Sequence, residues 1–235
     1  MEGGFFSGQL LIAMPGISDP RFERALILIC AHDRQHAMGL ALNNPVEGLT
    51  VPDLLEKLDV ASAATLPPDL VLLGGPVECE RGFVLHTTDY QGEFSLDVGG
   101  GVALTATRAV LEAMASHNGH PNRSVLALGY AGWGAGQLEE EIKQNVWLTC
   151  EPDEALIFDQ DYERKWARAL AKLGVDPERL SAVAGEIDEI ARRRQHVLAA
   201  AGDLTADLRQ HHIAQPPLHQ GHTEELLQIA DLHRQ

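Results

Sequence analysis

The chain has 235 residues, 45% hydrophobic and 22% charged, enough for one large domain or two small ones with a core that needs no disulfide or metal staple. Eighteen basic against 34 acidic side chains leave a net charge of −16, which repels phosphate backbones and disfavours direct nucleic-acid binding. Three scattered cysteines make no disulfide framework, no apolar run approaches the ~20 residues of a membrane span, and the N-terminus has no signal-peptide core, so the expectation is a cytoplasmic protein with no membrane contact.

In chain order, residues 9–13 read as a short strand stopped by Pro15-Gly16. Residues 25–31 are a continuous apolar run rich in isoleucine and leucine, the pattern of a buried strand. Residues 38–42 repeat it, and the polar stretch 33–36 between them has hairpin length. Residues 52–58 read as a helix with Pro52 in its first turn. Strands follow at 70–73, ending on Gly74-Gly75-Pro76, at 82–87 and at 94–98. Gly99, Gly100 and Gly101 then force a turn or bulge. A helix over 107–116 opens at Thr107 and turns Val110, Leu111 and Met114 to one side. Residues 125–130 are a strand, 138–144 a helix, and 146–150 and 156–158 strands. Asp161 opens a last helix whose Trp166, Leu170 and Leu173 share a face, closed by Gly174. Many strands follow one another through short turns, so pairing is largely antiparallel. The expected fold is α/β, a mixed, strongly curved sheet with flanking helices over residues 1–185. A helical or partly disordered C-terminal extension fills 186–235. That extension holds six of the eleven histidines, the triplet Arg192-Arg193-Arg194 and no aromatic residue, and reads as an appendage for docking or self-association.

Few stretches carry chemistry. His32-Asp33-x-x-His36 has the spacing of a zinc motif that needs a helix, but its flanks are strands, so a polar turn is the reading. Gly74-Gly75-Pro76-Val77-Glu78 followed by Arg81 and His86 clusters glycine, carboxylate, guanidinium and imidazole. The bland reading is a strand–turn–strand corner with a surface ion pair. The functional one is a polar site with His86 as general base. Gly129 to Leu138 leads through four glycines around Trp133 into a helix start. Glu139, Glu140 and Glu141 already answer the positive end of that helix, which argues against phosphate and leaves a loop that either buries Trp133 or presents it to a partner. No nucleophile elbow G-x-S-x-G is present, and the three thiols read as structural.

Four segments in register resemble the bacterial YqgE/AlgH family. They are residues 8–16 with Asp19, Arg21 and Phe22; residues 37–43; residues 74–77 with 82–86; and residues 129–133 with 136–139. Leu104 to Thr107, Asn145, Trp147, Leu148 and Phe158 fit the same frame, which spans about residues 5–184. The resemblance implies a compact α/β fold with a bifurcated, barrel-like sheet in a bacterial cytosolic protein, and no recognised catalytic set, cofactor or metal. The family carries a transcriptional-regulator label without a helix-turn-helix. The matching positions expected to face a shared surface or pocket are Asn43, Gly75, His86, Trp133 and Gln137. Asn44 departs from the arginine of an N-R-P turn, His36 from a small residue, and the fifty residues after Gly185 have no family counterpart.

The leading functional reading is a non-enzymatic cytoplasmic protein with a regulatory or binding role, acting on a protein partner or small ligand. The alternative is a small-molecule hydrolase or transferase using His86 with Glu78 and Arg81.

Overall fold

The computed structural model describes residues 5–61, 66–116, 119–178 and 180. The extension expected over 186–235 lies outside them, as do its histidines and the arginine triplet.

Among the described residues ten strands form one sheet: β1 (Leu10–Ala13), β2 (Leu26–His32), β3 (His36–Ala41), β4 (Pro45–Thr50), β5 (Leu70–Leu73), β6 (Val77–Thr87), β7 (Leu96–Gly99), β8 (Val102–Thr105), β9 (Ser124–Gly134) and β10 (Trp147–Cys150). Helices α1 (Val51–Lys57), α2 (Arg108–Met114), α3 (Gln137–Lys143), α4 (Glu154–Ile157) and α5 (Tyr162–Lys172) flank it. The main path runs β10-β1-β2-β3-β9-β6-β8-β7, antiparallel throughout. β4 pairs only with β5, and β5 joins β9 in parallel, Leu72 opposite Ala127. The sheet is the expected curved, mixed half-barrel, and it forks at β9.

Glycine permits the fork. β9 pairs with β5 at Ala127 and Leu128, then with β3 from Ala131 onward, along the same edge. At the changeover Gly74 donates to the Leu128 carbonyl at 2.7 Å while its own carbonyl accepts from the Ala41 N–H at 2.8 Å. A Cβ on Gly75 would lie 2.1 Å from the carbonyl carbon of Tyr130, so the two chains can approach only without one. Gly129 takes up the bend with φ +69°.

Strand alternation sorts the core. Leu10 and Ile12 of β1, with Leu26, Leu28 and Cys30 of β2, face an interior also filled by Phe158, Trp166, Ala169 and Leu170. Leu11, Ala13, Ile27 and Ile29 face the other way, against Phe22, Trp133, Leu138 and Trp147. A third cluster beneath α1 and α2 joins Leu54, Leu55, Val84, Val110 and Leu111.

Several expectations need correction. Residues 156–158 do not form a strand. Asp153 accepts from the Ala155 N–H and starts the single turn α4, which buries Leu156 and Ile157. Three apolar residues carry no period that separates strand from helix. The glycine-rich stretch is not a loop up to Gly136, because β9 runs on to Gly134. β6 begins at Val77, earlier than expected, with an irregular register before Gly82. β4 was not anticipated: exposed Glu47 and Gly48 break its pattern, and its Pro45 sits at the first position, where a strand tolerates proline. Leu173 lies just past α5 and is exposed, outside the helix's apolar face.

Lys165 of α5 went unnoticed in the sequence. Its side chain is wholly buried, and Nζ donates to the carbonyls of Leu42 at 2.9 Å and Ile157 at 2.8 Å, tying α5 to the end of β3 and to α4. Burial, with a smaller push from Arg123, lowers its pKa from the usual 10.5 to about 7. A neutral amine has two protons, one for each carbonyl. Between about pH 7 and 10.5 the unfolded chain therefore holds a proton that the folded chain does not, and folding stability rises with pH across that window. Below it both states are protonated and the contribution is flat. Cys30, held protonated to about 12 by burial, pulls the other way once free thiols ionise. The cleanest window is thus pH 7 to 9. Urea unfolding there should show stability climbing by up to about 1.4 kcal/mol per pH unit. Lys165→Met should flatten that slope; an unchanged slope in the variant would rule Lys165 out as its source.

Candidate functional site

The seven residues singled out from sequence fall into separate places. Asn43 is a brace: its Oδ1 accepts from the Leu26 N–H at 2.8 Å and its Nδ2 donates to the Arg24 carbonyl at 2.8 Å. Gly75 is buried at the fork. Arg81 donates from Nη1 to Glu78 Oε2 at 3.0 Å, and its guanidinium lies 5.1 Å from the Phe83 ring centre. His86 is wholly buried, and its ring nitrogens face the Thr87 carbonyl and the Thr105 hydroxyl, not Glu78 or Arg81. Five residues along an extended strand separate Arg81 from His86, roughly 16 Å of backbone, with alternation turning them to opposite faces. The structure therefore joins Glu78 to Arg81 and leaves His86 apart.

Trp133 and Gln137 do come together, through a residue the sequence reading used only as helix-end charge. Glu141 Oε2 accepts from the indole N–H of Trp133 at 2.9 Å and of Trp147 at 2.7 Å, and Oε1 accepts from Gln137 Nε2 at 2.8 Å. Gln137 Oε1 in turn accepts from the Gly134 N–H at 3.0 Å, closing the turn into α3. The two indoles meet edge to face at 6.0 Å, and Trp133 is only 3% exposed. Trp133 is thus core, not a presented side chain. The detectable signal was spacing: Gln137 and Glu141 are one helical turn apart on α3, facing the strand that carries Trp133.

The imidazoles of the His-Asp-x-x-His stretch take different partners. His32 accepts the Phe6 N–H on Nδ1 at 3.0 Å, so its other nitrogen carries the proton and faces Glu139 Oε1 at 3.2 Å. His36 pairs with Asp33 at 3.1 Å.

A wide concavity lies elsewhere. A groove of about 820 Å³ opens where residues 66–70 enter β5, residues 120–126 enter β9, and α4 meets α5. Because β5 and β9 are parallel, both entering segments emerge at the same end of the sheet. Apolar wall comes from Val51, Leu66, Met114 and Phe158. Both arginines are already paired, Arg123 with Glu154 at 3.6 Å and Arg168 with Asp159, while Asp69 accepts a hydrogen bond from the neutral Gln160. The Arg123 guanidinium also sits 5.1 Å from the Phe158 ring centre. Burial, and secondarily Asp69, pushes the Tyr162 phenol up. Four separate segments build this wall, so no contiguous motif announces it, and none of the seven singled-out residues lines it. No helix among the described residues is long and apolar enough to cross a membrane.

Comparison with known proteins places these features in a wider group. A family model described as AlgH-like matches residues 10–178. A UPF0301 protein of Caulobacter vibrioides is 62% identical over 185 residues, covering 78% of this chain and 95% of the relative. One from Rhodospirillum rubrum is 48% identical over 182 residues, 77% of this chain and 94% of that one. The solution structure of the AlgH protein from Pseudomonas aeruginosa superposes with TM-score 0.61 at 38% identity, over 77% of this chain and 97% of that one. A Corynebacterium diphtheriae protein shares the fold at TM-score 0.60 and 18% identity, over 78% of this chain and 94% of that one.

Removing the Glu141 carboxylate strands two indole donors in a largely buried place. Glu141→Ala should lose about 2–3 kcal/mol of stability in urea, with red-shifted tryptophan emission, and Glu141→Gln should lose less because one acceptor oxygen remains. Equal losses in the two variants would assign the effect to packing instead.

Proposed function

The chain belongs to the AlgH-like family, and from that premise we propose that it is a cytoplasmic binding protein with a regulatory role, whose ligand site is the groove between β5, β9 and the α4–α5 corner. One observation carries the reading. The groove has the volume of a small-molecule site and combines an apolar wall with two arginines already paired to carboxylates. Paired charges hold a shape and offer hydrogen bonds; they do not supply a poised acid or base. A small ligand with an apolar body and polar ends fits that lining. The net charge of −16 argues against a regulator that reads DNA directly. Glu78 and Arg81 share no site with His86, so the hydrolase alternative built on those three has no common centre.

The test is retention of small molecules from a bacterial lysate, read by mass spectrometry on the full chain. Asn122→Trp places an indole at the rim of the groove from an exposed position. The retained ligand should bind at least tenfold more weakly to that variant while its melting temperature stays near that of the parent. Retention that ignores the substitution would place the ligand elsewhere.

A further inference from the structure

Away from the groove, three side chains from three adjacent strands form a continuous hydrogen-bonded row. Ser95 stands just before β7, Thr105 ends β8 and His86 lies in β6. Ser95 Oγ and Thr105 Oγ1 are 2.6 Å apart, and Thr105 Oγ1 and His86 Nε2 are 2.8 Å apart. His86 Nδ1 lies 3.0 Å from the Thr87 carbonyl. A carbonyl only accepts, so Nδ1 carries the ring proton and Nε2 of the neutral imidazole presents a lone pair. Thr105 must then give its hydroxyl proton to His86, and Ser95 must give its own to Thr105. Every proton in the row points inward, which leaves the lone pairs of Ser95 Oγ directed away from the row.

The row also runs from surface to core. Ser95 is half-buried, whereas Thr105 and His86 are buried. In the chain Ser95 is preceded by Phe94, 74% exposed and held at φ +64°, a conformation rare for a bulky side chain, and followed by exposed Leu96, which sits opposite Leu104 and so faces away from Thr105. Exposed Asp89, Glu93 and Asp97 lie near it in the chain. Asp89 accepts from the Asn122 N–H at 2.9 Å, and a hydrogen bond from Thr87 holds its carboxyl below the usual carboxylate range.

We propose that Ser95 is an acyl acceptor, activated through Thr105 by His86, toward neutral activated esters with apolar acyl groups. Ser95 Oγ bonds to the ester carbonyl carbon. Its proton moves to Thr105 as Thr105's proton moves to His86 Nε2. The bond from the carbonyl carbon to the leaving oxygen breaks, and the released alkoxide takes a proton from the Thr105 hydroxyl as Thr105 recovers one from His86 Nε2, since the acylated Ser95 Oγ carries none to pass. The products are O-acyl Ser95 and the free alcohol. Exposed Phe94, next to Ser95 in the chain, would offer the acyl group an apolar surface, and the acidic surround repels anionic donors. The site is separate from the groove and does not depend on the binding role proposed there.

The test uses the full chain with p-nitrophenyl butyrate near neutral pH, read by intact mass and peptide mapping. One butyryl group should appear on Ser95 and be missing there in Ser95→Ala. Thr105→Val keeps the shape but breaks the row, and should slow acylation by at least tenfold, within the usual scale of lost general-base help. Thr105→Ser should restore most of the rate. In the unmodified chain the acylated peptide should map to Ser95 ahead of every other serine, lysine and tyrosine, a readout that does not depend on any variant folding. Melting curves identify a variant that has lost its fold. Butyryl groups scattered over surface lysines and tyrosines with Ser95 not preferred, or Thr105→Val acylated at the parent rate, would overturn the proposal.

Discussion

The fork at β9 is the constraint on which the rest of the molecule depends. One edge of a single strand serves first β5 and then β3, and the handover works because Gly74 and Gly75 lie where a side chain would collide with the backbone of residues 129–131. The fork sends β4 and β5 out of the main path while β3, β2, β1 and β10 curve the other way. Curvature encloses an interior that α5 closes with Trp166 and Leu170. It also leaves the entrances to β5 and β9 side by side and facing α4, which is where the groove opens. The fold's shape and this groove thus have one origin.

Side chains that stand in for backbone partners hold this arrangement in place. Asn43 accepts and donates where β2 begins, beside a left-handed Arg24. Trp166 donates its indole N–H to the Ala13 carbonyl at 2.8 Å, fixing α5 to β1. Lys165 does the same toward Leu42 and Ile157, and Glu141 gathers two indoles and a glutamine. Each satisfies groups whose burial unpaired would cost on the order of 1–3 kcal/mol apiece. The two charged members differ in kind. Glu141 receives donors from three side chains, whereas Lys165 faces only two carbonyls and an aromatic ring, 5.3 Å from its nitrogen. An ammonium there has more protons than partners.

How far the sequence reveals this depends on the length scale of the signal. The run at 25–31 is legible because a strand apolar on both faces needs no partner to be recognised, and β2 lies there at Leu26–His32. Trp166 and Leu170 are legible because helical spacing is local. The curved, forked sheet itself comes from the resemblance of four motifs, not from any periodicity. The glycine-rich stretch misleads because glycine signals both a turn and a close approach of two backbones; in β9 it means the second up to Gly134, with the turn only at Gly136. Trp133 poses an open choice in sequence, and only its distance from Glu141 decides it. The groove leaves no trace at all, since its walls are drawn from residues more than a hundred positions apart.

The groove and the buried histidine are nonetheless tied together by backbone. Asn122 donates to Asp89, the Arg123 N–H donates to the Thr87 hydroxyl at 3.2 Å, and the Thr87 N–H donates to the Arg123 carbonyl at 3.1 Å. His86 itself sits opposite Ser124 in the β6–β9 register. Residues 122–124 therefore form the rim of the groove on one side and clamp the 86–89 corner on the other. The Thr87 carbonyl, which fixes the tautomer of His86, is positioned by the same short ladder that positions Arg123. In a serine–histidine–aspartate arrangement a carboxylate sets the tautomer; here a main-chain carbonyl does, and its aim is only as firm as the strand pairing around it. The geometry of the imidazole is thus a property of where β6 meets β9, so it is inherited from the same strand whose fork shapes the sheet.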